Sequence, residues 1–317
     1  MGNFFRFLFC AALAVASVAQ AHASQPTTIV VPFPPGGAVD SLARVLGQEL
    51  DKKKGYTVLV ENRPGAGSQA AMNAVTMGKS DGSVLFLGHT GVFSLNRHMY
   101  SKLNYDVDRD LRPISLLAKA PLFLLVAKSS PIKSVQDLIA LGKSRELAYG
   151  SPGIGTGAHI AVEMFRSKAG VQARHIPYRG AAPALIDLVG GEIDFVFDVL
   201  VGSKAFLQDG RVRAIAVAAA ERSQLLPDVP TFREGGLEGM NFSSWWGLAV
   251  KAGTPDEAIS RLHQDIVSAM ASPAVVKQFA DMGIEIQTST AAGFGELIKK
   301  DAQTYGPIIK SLNIKLD

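Results

Sequence analysis

The chain has 317 residues, 47% of them apolar, and a formal net charge of +4. This length and apolar content exceed what one domain usually needs, so we expect two domains. Acidic and basic residues are mixed along the whole sequence without a basic block, which argues against nucleic-acid binding and leaves only a weak bias toward anionic ligands.

The first residues have the anatomy of a secretory signal peptide. Arg6 precedes an apolar run over residues 7–18, and Ala21-His22-Ala23 supplies small residues for cleavage. The run is too short to span a membrane comfortably. Residues 1–23 are therefore predicted to be removed on export. Cys10, the single cysteine, would leave with them, so we expect neither a disulfide nor thiolate chemistry.

The first predicted strand leads into a glycine turn that can hold an anion. Ile29–Val31 is a β-branched apolar run, typical of a strand buried on both faces, and residues 32–37 break it. A helix follows, with Asp40 at its opening. Gly36 and Gly37 leave backbone N–H groups uncovered, so the turn can bind a small acid through the main chain. The alternative is an ordinary βα turn with prolines that only rigidify it.

Strand and helix signals alternate along the rest of the chain, which predicts an α/β fold with parallel sheets and crossover helices. Further strands are predicted at Tyr56–Val60, Val84–Leu87, Leu122–Ala127, Leu147–Tyr149, His175–Tyr178, Ile193–Asp198, Val212–Val217 and Ser244–Val250. Helices are predicted at Ser134–Leu141, Ala158–Lys168, Pro183–Val189, Pro255–Met270, Pro273–Met282 and Ala292–Leu312, besides a small-residue helix near Ala70–Val75.

Two long apolar strands, 122–127 and 245–250, lie on either side of one self-contained α/β segment. This arrangement favours two lobes joined by a pair of crossing strands, with a cleft between the lobes. We place the first lobe at residues 24–124 plus 246–317, and the second lobe at residues 125–245.

A second glycine turn repeats the logic of the first. Residues 151–157 follow the Leu147–Tyr149 strand and open a helix, and Gly153–Ala158 matches the string of the dinucleotide-binding fingerprint. The next strand, near Ala173–His175, lacks the acid that would bind a ribose. A small carboxylate on the same N–H groups is therefore favoured over a nucleotide.

Other candidate residues carry weaker signals. Residues 78–82 match the nucleophile-elbow string, but a helix precedes and a strand follows, so they predict a turn. The histidines show no metal-ligand spacing, although His89 and His159 could donate to a ligand oxygen. Asp198 could accept from a ligand amine or hydroxyl, or equally cap a helix. Trp245-Trp246 favours hinge packing over a ligand platform.

Four separated motifs carry a resemblance to a known family. They are Val31–Gly37 with Asp40 and Arg44, Glu61–Gly67, Pro177–Gly180, and Pro227–Phe232 with Glu234 and Gly236. Over the whole mature chain, the sequence resembles the Bug (TctC-like) receptors of tripartite tricarboxylate transporters. The resemblance implies a two-lobed periplasmic binding protein, type II-like, with a mostly parallel sheet in each lobe. It also implies a monomer without a cofactor, which hands a small carboxylate or dicarboxylate to membrane transporter subunits.

The resemblance also implies a set of ligand-binding residues. They are Phe33, Pro35, Gly36, Gly37 and Asp40 in the first-lobe loop, His89 and Thr90 beside it, Ser151, Gly155, Thr156, Gly157 and His159 in the second-lobe loop, and Asp198 on the far side. Two pairs depart from the family pattern. Ser68-Gln69 replaces glycine and asparagine, and Ala38-Val39 replaces a small polar residue before Asp40. The second change removes a hydroxyl donor, so the ligand is expected to be less polar than citrate.

Two other functions stay open. An α/β enzyme acting on a carboxylate could use Ser151, His159 and Asp198, and it would need a nucleophile and a base within hydrogen-bond reach. A liganded receptor could instead signal to a membrane sensor.

Overall fold

The computed structural model describes residues 26–311 and 313–316, so the predicted signal peptide, Cys10 and the predicted helix end at Leu312 lie outside the described residues. The described strands are β1 (Thr27–Val31), β2 (Val58–Asn62), β3 (Val84–His89), β4 (Leu111–Pro121), β5 (Phe123–Ala127), β6 (Leu147–Ser151), β7 (Ala173–Pro177), β8 (Phe195–Asp198), β9 (Val212–Val217), β10 (Ser243–Lys251) and β11 (Glu285–Ile286).

The described helices pack on these strands. They are α1 (Ala38–Lys54), α2 (Gln69–Met77), α3 (Asn96–Met99), α4 (Val107–Asp110), α5 (Val135–Ser144), α6 (Gly157–Ala169), α7 (Ala181–Gly190), α8 (Leu200–Gln208), α9 (Asp256–Met270), α10 (Pro273–Met282) and α11 (Ala291–Ser311), with a 3₁₀ turn at Ala66–Ser68 and a π-helical turn at Gly91–Leu95. None of these helices has the length and apolar character that a membrane span requires.

The strands form two mixed sheets. The first has the order β11-β4-β10-β3-β1-β2 and the second the order β7-β6-β8-β5-β9. β1 pairs in parallel with β2 and β3, and β6 with β7 and β8, whereas every pair made by β4, β5 and β10 is antiparallel. The expectation of mostly parallel sheets is therefore corrected. β5 is the first strand after the chain enters the second sheet, and β10 is the first strand after it returns to the first sheet. Each of these two strands runs antiparallel to both of its neighbours in the sheet.

The chain passes between the sheets through links rather than through continuous strands. β4 ends at Pro121 and β5 begins at Phe123, so Leu122 alone lies between the first sheet and the second. Proline cannot donate to a ladder, which suits the end of β4. The return runs through residues 218–242 to β10. We call the half around the first sheet the first lobe and the other half the second lobe; the residue boundaries at 124/125 and 245/246 stay a prediction.

Local signals account for the helix ends next to the cleft. Gly37 caps α1 in an extended conformation, and Gly55, in the left-handed region, ends it. Thr156 caps α6 by accepting the His159 N–H, and Gly170 ends that helix with φ 65°. The helix predicted at 158–168 is thus observed one residue longer at each end.

One continuous apolar cluster connects the two lobes. Ile29 and Leu248 of the first sheet belong to the same cluster of buried side chains as Phe165 and Phe197 of the second lobe. Burying an aliphatic or aromatic side chain of this size contributes about 1.5–3 kcal/mol. The lobes therefore share a packed base, and the cleft opens above it.

Candidate ligand-binding cleft

A cavity of about 410 Å³ lies between the two lobes. Most of the predicted site residues line it, namely Phe33, Pro35, Gly36, Gly37, His89, Thr90, Thr156, Gly157 and Asp198. Asp40, Ser151, Gly155 and His159 are not part of its lining. The contribution of each residue to binding stays a prediction, but the structure brings both glycine turns to one cavity.

Four helices begin at this cavity. The residues that precede their first turns are Gly37 for α1, Thr156 for α6, Gly180 for α7 and Val199 for α8, and all four line the cavity. Only Thr156 makes a side-chain cap hydrogen bond; the other three helices have none. Because the first N–H groups of a helix lack intrahelical acceptors, these ends present donors and partial positive charge. The arrangement is suited to an anion.

Asp40 stabilises the first-lobe turn from outside the cavity lining. Its Oδ2 accepts hydrogen bonds from the Gly36 N–H and from Arg44 Nε, both at 2.9 Å, and its Oδ1 accepts from Asn62 Nδ2 at 3.0 Å. Burial raises the pKa of this carboxyl group, but the hydrogen bonds from Arg44, Gly36 and Asn62 outweigh burial and hold the pKa below its ordinary value. Asp40 therefore acts on the cavity through the turn, not by lining it.

His89 lines the cavity with a ring whose nitrogens are engaged inside the first lobe. The Gly91 N–H donates to Nδ1 at 3.1 Å, which leaves the proton on Nε2, and Nε2 lies 3.2 Å from Ser68 Oγ. Burial lowers the pKa of His89 to about 4, so the ring is neutral. Both ring nitrogens are thus engaged within the protein, and donation from His89 to a ligand stays a prediction. The ring also packs against Phe33, with centroids 5.0 Å apart.

The hydroxyl group of Thr90 is likewise engaged in hydrogen bonds within the protein. The Trp245 N–H donates to Thr90 Oγ1 at 3.0 Å, and that hydroxyl donates to the Trp245 carbonyl oxygen at 3.4 Å. Thr90 is fully buried beside the cavity. The residue thus anchors the end of β3 to β10.

Below the second-lobe turn lies a buried network of serine and histidine. Ser151 Oγ is 2.7 Å from His175 Nε2, and the Gly153 N–H donates to the same hydroxyl at 3.3 Å. His159 Nδ1 accepts from the Gly155 N–H at 3.3 Å, and its ring stacks on His175 with centroids 4.1 Å apart. Burial lowers the pKa of His159 to about 4, and that of His175 to about 3. These side chains brace the turn.

The three residues of the enzyme alternative do not form a catalytic group here. Ser151 is fully buried and pairs with His175 rather than with His159. Of Ser151, His159 and Asp198, only Asp198 lines the cavity. A nucleophile must lie within reach of both its base and the substrate. Ser151 contacts a base, His175, but does not line the cavity in which a substrate would bind. Among the described residues there is also no group of three or more potential metal ligands.

Among the described residues that line the cavity, Asp198 is the one acidic side chain. It is 4% exposed, its Oδ2 has no hydrogen-bond partner, and the Val199 N–H donates to the carboxyl group. Burial raises the pKa of Asp198 to about 7. A carboxyl group in this position is protonated more readily than an exposed one.

The chain matches the family model described as tripartite tricarboxylate transporter family receptor over residues 42–314. It belongs to this receptor family. The protein BugT of Bordetella pertussis is 31% identical over 313 residues, which cover 98% of this receptor and 96% of BugT. The predicted resemblance to the Bug (TctC-like) family is thus confirmed.

Two solved structures share the receptor's fold. Rpa4515 of R. palustris, solved with adipate, has a TM-score of 0.89 and 30% identity and covers 93% of this chain and 99% of that one. MatC of Rhodopseudomonas palustris, solved with malate, has a TM-score of 0.85 and 30% identity and covers 90% of this chain and 98% of that one. The predicted two-lobed binding-protein fold is confirmed by these similarities.

Several lining residues of the receptor were missed from the sequence. The first group is Arg179–Pro183, at the start of α7, and the second is Val199, Val201 and Gly202, at the start of α8. Arg179 is exposed on the cavity wall. The signal in the sequence was the glycine of Tyr178-Arg179-Gly180, because a glycine between a strand and a helix permits a positive φ. Gly180 adopts φ 112° just before α7.

The two tryptophans of the receptor have different surroundings. Trp246 lines the cavity floor, whereas Trp245 packs in the first-lobe core against Phe93, at 5.9 Å between ring centroids, and Phe294, at 5.5 Å. Trp245 Nε1 also donates to Asp301 Oδ2 at 2.6 Å. The predicted packing role holds for Trp245, while Trp246 is both packed and on the cavity wall.

Proposed function

We propose that this receptor captures a small carboxylate, preferably a dicarboxylate, in the cleft between its lobes, chiefly through backbone N–H groups. The observation that carries the proposal is the convergence of four helix N-termini, three without a side-chain cap, on one cavity of about 410 Å³. Each such end attracts an anion through its free N–H groups and the helix dipole. Adipate and malate, found in two relatives, belong to this chemical class.

Helix N-termini from both lobes, one from the first and three from the second, suit capture by closure. α1 belongs to the first lobe, while α6, α7 and α8 belong to the second. A ligand with two carboxylates can bind one end to each lobe. The bound ligand then stabilises the shut form by the difference between the free energy of its contacts in the shut form and that in the open form.

We further propose that residues 1–23 are removed on export and that the mature receptor works as a monomer in the periplasm. The family description supports a role in presenting the ligand to membrane subunits of a tripartite transporter. Loss of dicarboxylate uptake in cells that lack the receptor, restored by the gene, would support delivery. Normal uptake with loss of a ligand-induced transcriptional response would favour the signalling alternative.

Binding can be tested with purified mature protein and a panel of succinate, glutarate, adipate, malate and citrate, first by thermal shift and then by calorimetry. Gly37→Asp is the informative variant. A side chain fits there, because a Cβ at Gly37 meets nothing within 4 Å and the backbone is extended. The new carboxylate would cap α1 and occupy its N–H groups, which strengthens the helix by roughly a few tenths of a kcal/mol relative to glycine while repelling the ligand.

We expect Gly37→Asp to keep or raise the melting temperature of the free protein and to weaken dicarboxylate binding at least about tenfold, or about 1.4 kcal/mol. Gln208→Glu is the charge-matched control, because it adds the same charge at the far end of α8. Its affinity should stay at the wild-type value. Equal affinities for Gly37→Asp and wild type would remove the α1 terminus from the site.

A further inference from the structure

Asp198 is a buried acid that the protein leaves incompletely hydrogen-bonded. Asp198 lines the cavity and its carboxyl group accepts the Val199 N–H, but Oδ2 is itself buried against Gly202 and has no partner. A buried polar atom without a partner costs about 1–3 kcal/mol. Such an atom in a residue that lines a cavity indicates a contact that forms when the surrounding helices adjust to a bound ligand.

The neighbours of Asp198 place its free oxygen where helix N-termini meet. Phe123 of β5 pairs with Asp198 in the sheet. Gly202 of α8 is so close that a Cβ there would lie 2.5 Å from Oδ2 and 3.1 Å from the Cβ of Ala181, in the first turn of α7. The anion-attracting ends of α7 and α8 therefore converge on the same corner as the carboxyl group.

The other charged and titratable groups do not neutralise Asp198. Among the described residues of the cavity lining they are His89, which burial keeps neutral, and Arg179, which is exposed. His159 and His175 lie below the second-lobe turn, outside the lining. The first-lobe turn that faces the cavity from the other side, residues 33–39, has no ionisable side chain.

A ligand carboxylate bound in this corner would therefore meet a second carboxylate. Two carboxylates in contact cannot both stay ionised without a proton or a cation between them. The ligand could bring a hydrogen of its own, on an ammonium or hydroxyl group. Solvent can equally supply the proton, because burial already raises the pKa of Asp198 to about 7.

We propose that Asp198 binds the ligand as a carboxylic acid, with its O–H donating to a ligand carboxylate oxygen, so that each ligand is captured together with one proton from solvent. This inference rests on the proposed function of the cleft. Below the pKa of the free protein the proton is already present, and affinity is independent of pH. Above about pH 7 affinity falls by up to about tenfold per pH unit, as expected when binding requires one proton.

Proton uptake by the wild-type protein is the direct test. Calorimetry with adipate, which has neither an ammonium nor a hydroxyl group, is run in buffers of different ionisation enthalpy at about pH 6 and about pH 8.5. We expect close to zero protons taken up at the lower pH and close to one at the higher pH. No uptake at the higher pH, with adipate bound, overturns the proposal.

Asp198→Asn provides a second test, because its amide keeps one acceptor and one donor but cannot titrate. We expect this variant to bind adipate less tightly than wild type by under about tenfold at the lower pH, and with no dependence on pH. Asp209→Asn, an exposed position at the end of α8, is the control and should keep the wild-type pH dependence.

The outcomes separate this inference from the proposed function. A pH dependence that persists in Asp198→Asn overturns the inference. So does a selective loss of aspartate and glutamate binding in that variant with adipate affinity unchanged, because the ligand's ammonium would then supply the hydrogen. If neither protein binds any carboxylate of the panel at either pH, the proposed function itself fails.

Discussion

Replacing Asp40 by alanine should loosen the loop that forms the first-lobe wall of the cleft. The carboxylate accepts from the Gly36 N–H at 2.9 Å, from Arg44 Nε at 2.9 Å and from Asn62 Nδ2 at 3.0 Å. Asn62 Nδ2 also donates to the carbonyl oxygen of Phe33, at 2.9 Å. One buried side chain thus ties together the start of α1, the end of β2 and the turn between β1 and α1.

The size of the effect follows from these contacts. A hydrogen bond to a charged group contributes about 1.5–3 kcal/mol, but three bonds to one carboxylate are not additive. The Arg44 side chain is 49% exposed, so its ion pair adds at most about 1 kcal/mol. We therefore expect Asp40→Ala to lower the free energy of unfolding by about 3 kcal/mol. If ordering the freed turn costs the ligand about 1–2 kcal/mol, affinity falls about five- to thirtyfold.

Urea unfolding and calorimetry measure the two losses, and Arg44→Gln is the matched control. That variant removes only the half-exposed partner, so it should cost under about 1 kcal/mol and leave the turn in place. Because the folded pKa of Asp40 is lowered, its contribution is present above the ordinary value of 3.8 and disappears as the pH falls through the folded pKa. Equal destabilisation by the two variants, or unchanged affinity in Asp40→Ala, would refute this reasoning.

Three further predictions concern the cavity and its support. Ligand should change the tryptophan fluorescence, and Trp246→Phe should abolish the change while Trp245→Phe keeps it, because only Trp246 lines the cavity. Gly202→Ala should weaken binding about tenfold in calorimetry, since its Cβ would lie 2.5 Å from Asp198 Oδ2; unchanged affinity would contradict that contact. The free energy of unfolding should fall as the pH drops from 6.5 toward about 4, because His159 binds a proton in the unfolded chain but stays neutral when it is buried in the folded protein. Urea titrations at several pH values measure this dependence, and His159→Asn should reduce its slope.

The sequence was sufficient where a local signal determines the structure. β1 with α1 and β6 with α6 were predicted because an apolar strand, a glycine turn and a helical period follow one another within a short stretch. The helix predicted from Pro183 begins at Ala181, because proline is tolerated in the first turn, where its missing N–H has no intrahelical acceptor. α8 was not predicted, since Val199-Leu200-Val201 continues the apolar run of β8 without a polar cap.

Contacts outside the predicted motifs engage two of the side chains that the sequence proposed for a site. The ring of His89 was expected to face a ligand with a free nitrogen, but Ser68 and Gly91 occupy both nitrogens. Ser151 was paired in the enzyme alternative with His159, whereas the parallel pairing of β6 with β7 brings His175 to it. No pattern within one segment encodes the contacts of Ser68 with His89 or of Ser151 with His175, because they follow from the 3₁₀ turn before α2 and from the sheet register.

The lobes approach each other closely through glycines at one edge of the cleft, and this limits how ligand binding can drive closure. A Cβ at Gly91 of the first lobe would lie 2.2 Å from the carbonyl oxygen of Gly155 in the second, and a Cβ at Gly155 would lie 2.8 Å from Asn96 Oδ1. The approach of the lobes in this structure therefore leaves no room for a Cβ at either glycine. Contacts between the lobes are lost on opening whether or not a ligand is bound, so they set the equilibrium between the open and shut forms of the free protein. The ligand shifts this equilibrium only through the N–H contacts that it receives from both lobes at once.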